Sequence, residues 1–428
     1  MPEFVQFGNL NPPCGGDLFH VLSAGIRDDA GVMKSLAFLL VFAAAASAAD
    51  WPHYRGLKMD GSTVETVAPW SAEGPKELWR VQVGTGCASM TVVGNRLFTA
   101  GYRNGQEVVQ CLDVATGKEV WSHGWEAKLG DYLFEGGPRA TPTIDDGRLF
   151  MIGGDGHVAC LDAATGKPIW TKHLVKDFGG KRMDWGFCAS PTIDGDRVLI
   201  DCGGPGASTI ALDKKTGATI WKSGDDEAGY GSIVVGMVDG KKTAVGFKAG
   251  ALTGQAAEDG KPLWRFEWET AWKVNAVTPL IVDDLIVFSS AYNHGAAAVR
   301  VTGGEPKRVW FTKDLYAQFN SPVHHKGALY AIDGEVGKKS ALVCLDVKTG
   351  DEKWRARNVK NGSLILVGEK LLVLSEIGEL ILADASPAAF KEIAPRKKVL
   401  TGRCWVQPVL ANGVIYCRNN NGELVALK

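Results

Sequence analysis

A recurring phrase constrains the fold of this chain more than any other feature of its sequence. It first reads Cys111-Leu-Asp-Val-Ala-Thr-Gly-Lys-Glu-Val-Trp121, and full copies occupy 111–121, 160–170, 211–221 and 344–354. Shortened copies end at Trp79, Trp264 and Trp310. Successive tryptophans from Trp79 to Trp354 are therefore 42, 49, 51, 43, 46 and 44 residues apart. This period is that of a four-stranded propeller blade and is too long for a leucine-rich or tetratricopeptide repeat.

A second phrase precedes the first in each unit and supplies two more strands. Thr141-Pro-Thr-Ile-Asp-Asp-Gly-Arg-Leu-Phe-Met151 reads as a strand, an Asp/Gly hairpin and a second strand. With Val158–Asp162 and Pro168–Trp170 it forms one blade of strands A to D. Inner strands begin near Ala88, Ala140, Ala189, Ser232, Ala276, Ser321, Ser363 and Val406. The sequence therefore predicts an all-β, eight-bladed β-propeller of four-stranded antiparallel blades.

The last blade indicates how the ring closes. After Val406 the sequence supplies only three strands, whereas Leu78-Trp79-Arg80 is a D strand that lacks its own blade. We expect this N-terminal strand to pair with the C-terminal strand, since closure removes the exposed edges of the sheet. The seventh blade fits the pattern least well, because Ala383-Asp-Ala-Ser-Pro387 has no Thr-Gly and no tryptophan follows it.

The first 75 residues precede the repeats. A lysine, the apolar run Leu36–Phe42 and the small-residue site Ala46-Ser-Ala48 are typical of a secretory signal peptide. The apolar run is too short for a membrane-spanning helix of about 20 residues. We expect 1–32 to be an upstream extension that is not native, 33–49 a signal peptide cleaved near Ala48/Ala49, 50–75 a lead-in segment and 76–428 the propeller. The mature chain would then be periplasmic or secreted, without a transmembrane segment.

The charge of the chain bears on its partners, and the positions of its cysteines bear on whether they form disulfides. The 428-residue chain has a formal net charge of -1 and no basic run, so no nucleic-acid partner is expected. Cys111, Cys160 and Cys344 occupy one repeat position where other blades have alanine, which predicts packed free thiols. Cys87 and Cys404 precede the inner strands of adjoining blades 1 and 8, and a disulfide between them stays open at this point.

The repeat resembles that of the pyrroloquinoline-quinone (PQQ)-like propeller family, whose blades carry Ala-Leu-Asp-x-x-Thr-Gly-x-x-x-Trp. The likeness extends from about Lys76 to the C-terminus. The family includes quinoprotein alcohol dehydrogenases, the propeller lipoprotein of the outer-membrane barrel-assembly machinery and many exported propellers of unassigned role. Trp51-Pro-His-Tyr-Arg-Gly56 is similar to the Trp-Pro-x-aromatic-Arg-Gly-Pro opening of the third group, with Leu57 in place of the final proline.

The resemblance also implies what a PQQ enzyme would need. Members that use PQQ have an adjacent Cys-Cys pair against the cofactor, carboxylate and amide ligands to calcium, and an aspartate base. No two cysteines are adjacent in this sequence. We therefore expect no cofactor, assign no catalytic residue and no metal ligand, and favour a binding or scaffolding protein. The alternative is an enzyme with its site in the central funnel, either a PQQ-dependent oxidoreductase or a carbohydrate-active enzyme, whose acid pair would leave no local signature.

The loops that enter the inner strands hold the strongest indication of a binding site. They carry aromatic and polar side chains, and their density of aromatic residues is unusual because loops normally favour small polar residues. All of them should open on one face, around the central funnel. The alternative is additional packing between blades. The candidate ligand-binding residues are Arg139, Arg182, Trp185, Tyr230, Trp272, Asn275, Tyr316, Asn320, Arg403 and Trp405. An envelope protein, or a small-molecule or carbohydrate ligand, is the expected partner.

Overall fold

The computed structural model describes residues 49–130 and 133–428. The expected upstream extension and the signal peptide up to residue 48 lie outside this part of the chain. Eight small antiparallel sheets form a ring, so the structure is an all-β, eight-bladed propeller. The fold expected from the repeat is confirmed.

Two strands precede the first complete blade: β1 (Ser62–Thr63) and β2 (Glu77–Gln82). Blades 1 and 2 contain β3 (Thr91–Val93), β4 (Arg96–Arg103), β5 (Gln106–Asp113), β6 (Glu119–Glu126), β7 (Thr143–Asp145), β8 (Arg148–Ile152), β9 (His157–Asp162) and β10 (Pro168–His173). Blades 3 and 4 follow helix α1 (Leu174–Phe178) and contain β11 (Thr192–Asp194), β12 (Arg197–Gly204), β13 (Ala207–Asp213), β14 (Thr219–Ser223), β15 (Val234–Val238), β16 (Lys241–Phe247), β17 (Ala251–Ala256) and β18 (Pro262–Glu267).

A 3-10 turn (Ala271–Lys273) leads into the second half of the ring. Blades 5 and 6 contain β19 (Leu280–Val282), β20 (Leu285–Ser290), β21 (Gly295–Thr302), β22 (Glu305–Thr312), β23 (Val323–His325), β24 (Ala328–Asp333), β25 (Ala341–Asp346) and β26 (Glu352–Ala356). Blades 7 and 8 contain β27 (Gly362–Val367), β28 (Lys370–Ser375), β29 (Glu379–Asp384), β30 (Lys397–Lys398), β31 (Val409–Ala411), β32 (Val414–Arg418) and β33 (Glu423–Leu427).

The ring closes as the sequence predicts. Strand β2 pairs antiparallel with β33, with Glu77 opposite Leu427 and Gln82 opposite Glu423, and thereby completes blade 8. Arg418 of β32 is fully buried and donates to the backbone oxygens of Ala88 and Ala100 in blade 1 at 2.8 and 2.7 Å. Burial lowers the pKa of this guanidinium to about 10. Closure therefore combines a full strand pairing with a buried cation held by carbonyl groups.

The tryptophan of the repeat joins each blade to the next. The indole N–H of Trp79, Trp121, Trp170, Trp221, Trp310 and Trp354 donates to a backbone oxygen in the turn between strands C and D of the following blade. The glycine of the next Thr-Gly lies beneath the ring: a Cβ on Gly217 would approach Trp170 to 2.7 Å. Gly217 also has φ of +71°, which disfavours any other residue. The phrase therefore encodes blade-to-blade docking.

A second set of contacts joins the blades at their inner edges. The residue before each strand-A proline, or its equivalent, carries a hydroxyl or amide side chain. Backbone N–H groups donate to the hydroxyl oxygen of the following blade, from Ser89 to Thr141, Thr141 to Ser190, Ser190 to Ser232, Ser232 to Thr278 and Thr278 to Ser321, at 2.9–3.0 Å. These bonds link blades 1 to 6 around the central channel.

The segment 49–75 crosses the ring on the side of the A–B hairpins. Trp51 is 1% exposed and pairs with Val92 of blade 1, and Pro52 accepts the N–H of Ile144 in blade 2. Arg55 then donates to the backbone oxygen of Pro322 in blade 6 at 2.7 Å. Blades 2 and 6 are diametrically opposite in a ring of eight. The segment therefore spans the channel and closes it at this end.

The same segment continues along blades 7 and 8. Strand β1 pairs in parallel with β27 and adds a fifth strand to blade 7. The carboxylate of Glu65, 2% exposed, then accepts the N–H groups of Asn412 and Gly413 at 2.7 and 2.8 Å. Blade 7 itself departs from the repeat, since its outer strand β30 has only two residues. This matches the absence of Thr-Gly and tryptophan from its sequence.

The cysteines at the repeat position behave as core residues. Cys111, Cys160 and Cys344 are fully buried free thiols, as predicted from their repeat position. Burial raises the pKa of the Cys111 and Cys160 thiols to about 12. Cys404 also carries a free thiol, so no bridge joins it to Cys87. In the described residues, no helix has the length and apolar character that crossing a bilayer requires.

Candidate functional site

A cavity of about 530 Å³ occupies the funnel at the face opposite the lead-in segment. The loops from strand D to the next strand A and the B–C turns both open on this face, because strands alternate in direction within each blade. The volume lies within the range of small-ligand pockets, about 300–1,000 Å³. The lead-in segment closes the far end through Tyr54, so the site is a blind funnel.

Six of the predicted binding residues line this cavity, each from a different blade-to-blade loop. They are Arg139, Trp185, Tyr230, Trp272, Asn320 and Trp405. Asn320 is 3% exposed and belongs to the wall, where its amide donates to Asn361 and accepts from Ser363, both at 3.0 Å. Side chains from six blade-to-blade loops therefore meet around one cavity.

The other four predicted residues lie outside the cavity. Asn275 is fully buried, donates to the backbone oxygens of Lys248, Ala249 and Trp268, and accepts from Ser290, so it holds loops together. Arg182 pairs with Asp155 at 2.7 Å beside a shallower depression.

Tyr316 and Arg403 sit beyond the lining. The Tyr316 hydroxyl contacts Asn293 at 3.3 Å. Arg403 forms an ion pair with Glu135 at 2.8 Å and stands behind Trp405, with the guanidinium 5.0 Å from the indole centroid. Its role is therefore to support the wall.

Trp405 is the centre of one aromatic wall. Phe134 meets it edge-on at 4.8 Å between ring centroids, and Phe319 lies at 5.0 Å. Its indole N–H donates to Glu376 at 2.9 Å. At 9% exposure this side chain is mostly packed, and only part of it faces the cavity. Sequence reasoning treated Trp405 as an accessible ligand contact, but its neighbours make it a structural element as well.

Trp272 is far more exposed than Trp405. This side chain is 75% exposed at the mouth of the cavity, and its backbone has φ of +68°. The adjacent Lys273 has φ of +56°. A bulky residue in the left-handed region is strained, and such strain concentrates at functional sites. An indole that is both exposed and held in a costly conformation is expected where a surface meets a partner.

Several lining residues were not found from the sequence. Tyr54 reaches the cavity from the lead-in segment, and Tyr292 and Glu335 reach it from the B–C turns of blades 5 and 6. Burial raises the pKa of the Tyr54 hydroxyl, while the neighbouring Arg55 and Ser321 act in the opposite direction. Because strands alternate in direction within a blade, the B–C turns open on the funnel face. This alternation could have indicated Tyr292 and Glu335 from the sequence. Tyr132, another aromatic residue that the sequence places in the loop before blade 2, lies outside the described residues.

The lining does not fit PQQ with calcium. PQQ carries three carboxylates, whereas the charged groups among the described lining residues are Arg139, Asp184 and Glu335. Cys87 and Cys188 both line the cavity but come from different blades and are not adjacent. Across residues 49–130 and 133–428, no three His, Cys, Asp or Glu side chains are grouped so as to hold a metal ion. We therefore derive no step through this cofactor.

The ring, its tryptophan seams and its blind funnel define the class of PQQ-like eight-bladed propellers. A family model described as outer membrane protein assembly factor BamB matches residues 105–356, and the chain belongs to that family. No curated protein sequence matches the chain.

Solved structures share the fold at low identity. BamB from Moraxella catarrhalis is 16% identical, with a TM-score of 0.61 over 83% of this chain and 98% of that chain. A quinohemoprotein alcohol dehydrogenase from Comamonas testosteroni is 13% identical, with a TM-score of 0.64 over 88% and 80%. A europium-containing methanol dehydrogenase is 14% identical, with a TM-score of 0.62 over 89% of each chain. These structures include an assembly factor and two dehydrogenases, so the likenesses specify the fold alone.

Proposed function

We propose that this protein is an exported β-propeller that binds a ligand or a protein partner in its funnel and does not catalyse a PQQ-dependent reaction. The observation that carries the proposal is the blind cavity of about 530 Å³ with Trp272, 75% exposed, at its mouth. Exposed aromatic side chains around a concave site favour binding, since they gain contact area at little cost in conformational entropy. The mismatch with PQQ argues against the dehydrogenase alternative.

Location in the periplasm or outside the cell is part of the proposal. The signal-peptide pattern before Asp50 supports it, as does membership of a family named for outer-membrane protein assembly. We expect Edman or mass-spectrometric sequencing of the native protein to give an N-terminus at Ala49 or Asp50. Recovery of the native protein with 1–32 attached would contradict export through this signal.

The binding proposal is tested with the mature chain immobilised and exposed to native envelope extract, followed by cross-linking and mass spectrometry. Trp272→Ala combined with Trp185→Ala should lose the captured species. The control is Phe311→Ala, which removes a 42% exposed aromatic side chain from the outer strand β22, away from the funnel. If the funnel variant recovers the same species as the wild type, the funnel is not the binding site.

A further inference from the structure

The floor of the funnel presents hydroxyl donors from three consecutive blades. Ser190, Ser232 and Thr278 line the cavity, and each hydroxyl oxygen already accepts a backbone N–H from the preceding blade at 2.9–3.0 Å. Among the hydrogen bonds of the described residues, none uses the protons of these three hydroxyls. A hydroxyl that accepts one bond retains its proton to donate. Blades 3, 4 and 5 therefore offer a row of donors.

A side chain with an unpartnered acceptor belongs to the lining on the other side of the ring. Gln407 of blade 8 lines the cavity and is 7% exposed. Its Nε2 donates to the backbone oxygen of Leu364 at 3.0 Å, which fixes the amide orientation and leaves Oε1 buried without a hydrogen-bond partner. Blade 8 is diametrically opposite blade 4. A buried acceptor without a partner is costly, so it favours a ligand or water that donates to it.

The charged groups of the described lining belong to loops and turns, not to the row of hydroxyl positions. Asp184 lies in the loop between blades 2 and 3, Glu335 lies in the B–C turn of blade 6, and Arg139 lies at the end of the loop into blade 2. Glu335 also pairs with Lys338 at 3.0 Å. Beside Tyr54 at the closed end, the floor therefore presents neutral donors from blades 3 to 5 and a neutral acceptor from blade 8.

Resting on the proposed function, we propose that the funnel binds a neutral saccharide, a short oligosaccharide whose terminal ring reaches the floor. Sugar hydroxyls both donate and accept, which matches donors at blades 3 to 5 and an acceptor at blade 8. A carboxylate only accepts and an ammonium only donates, so neither satisfies both sides. The apolar C–H faces of a sugar ring also suit Trp185 and Trp272 along the walls and mouth.

The ring of hydroxyls supplies a matched pair of variants. Thr278 and Thr141 play the same structural part, each accepting an N–H at 3.0 Å, from Ser232 and Ser89 respectively. Both are at most 1% exposed, and of the two, only Thr278 belongs to the described lining. Thr278→Val and Thr141→Val should therefore lower the denaturation midpoint by similar amounts. An effect on ligand affinity is expected from Thr278→Val alone.

The test measures dissociation constants by calorimetry for the mature chain with maltotriose, cellotriose and chitotriose, and with trigalacturonate as the charged comparison. We expect at least one neutral trisaccharide to bind and trigalacturonate to bind more weakly. Loss of one donor in Thr278→Val should weaken binding about fivefold, and Thr141→Val should leave it unchanged. Loss of the platform in Trp272→Ala should weaken binding about tenfold.

Three outcomes would overturn the inference. One is a wild-type chain that binds none of the neutral trisaccharides. Another is binding that Thr278→Val and Trp272→Ala both leave unchanged. The third is tighter binding of trigalacturonate than of every neutral sugar. If no sugar binds while envelope capture still depends on Trp272 and Trp185, the saccharide assignment fails and funnel binding stands. If capture is also independent of those residues, both fail.

Discussion

Tryptophan plays two different parts in this molecule, at the blade seams and on the funnel face. At the seams, Trp79, Trp170 and Trp221 are 7–9% exposed, donate to the next blade and cover a glycine. On the funnel face, Trp272 is 75% exposed, and Trp405 is 9% exposed within an aromatic cluster. The seam environment repeats from blade to blade, whereas each funnel tryptophan has its own surroundings.

This difference shows what repetition can encode. A seam needs the same indole, glycine and turn oxygen at every blade, so its residues recur in register. A binding site on the ring axis meets one ligand, so each blade contributes a different residue. A residue that recurs at one position of the repeat therefore has a structural role. A residue outside the repeat can have a functional role but need not. Asn275 lies outside the phrase, yet it is fully buried and holds loops together.

The largest effect is expected at a seam. Trp170→Ala removes a packed indole and its hydrogen bond to Lys214, and should cost about 3–5 kcal/mol of unfolding free energy. Chemical denaturation followed by circular dichroism measures the change. Phe311→Ala, which removes a 42% exposed side chain from the outer strand β22, serves as the comparison. A denaturation midpoint unchanged in Trp170→Ala would break the distinction between the two regions.

The second largest effect on stability is expected from a carboxyl group that changes its protonation state at a seam. Glu107 of blade 1 is 3% exposed and accepts from Gly154 of blade 2 and from Trp125, all at 3.1 Å. Burial raises its pKa from 4.5 to about 7. Because the folded-state pKa is raised, its stabilising contribution is complete below pH 4.5 and is lost as the pH rises through about 7. The loss is on the order of 3 kcal/mol.

Glu107→Gln should therefore flatten the dependence of stability on pH between about 4.5 and 7. Urea midpoints at several pH values in this window measure the slope. Glu258→Gln, which changes an exposed carboxylate in the turn between β17 and β18 of blade 4, is the control. An identical slope in wild type and Glu107→Gln would show that this carboxyl group does not titrate in the window.

Trp405→Ala tests whether a tryptophan on the funnel face also contributes to stability. Its packing against Phe134 and Phe319 and its bond to Glu376 predict a loss of about 2 kcal/mol, less than at a seam. A funnel residue would then be structural and ligand-facing at once. Thermal denaturation measures the cost, and a melting temperature equal to that of the wild type would mean that the wall repacks without the indole.

The smallest effect on stability is expected for Trp272→Ala. An exposed side chain with few packed neighbours should change the unfolding free energy by no more than about 0.5 kcal/mol. The same variant should lose ligand affinity, so stability and binding separate at this residue. A large loss of stability would instead assign Trp272 to packing between blades.

The sequence was a strong guide to the ring and a weaker one to the site. In-register phrases predicted eight blades and the pairing of Leu78-Trp79-Arg80 with the last strand, since both depend on repeated local chemistry. The placement of Tyr54 depends on a segment that crosses the ring through contacts with distant blades, and no local pattern encodes such a path. Arg182 and Arg403 form ion pairs with Asp155 and Glu135, and those partners depend on loop conformation.

Closure by β2 and β33 also has a consequence for how the molecule acquires its structure. The two strands stand at opposite ends of the propeller sequence, so the first one made must wait, unpaired, for the last. Contacts so distant in sequence slow folding, and unpaired strand edges invite association with other chains. Under the proposed export, the chain would emerge with that edge leading. We therefore expect chaperone protection during translocation to matter more for this protein than its final stability suggests.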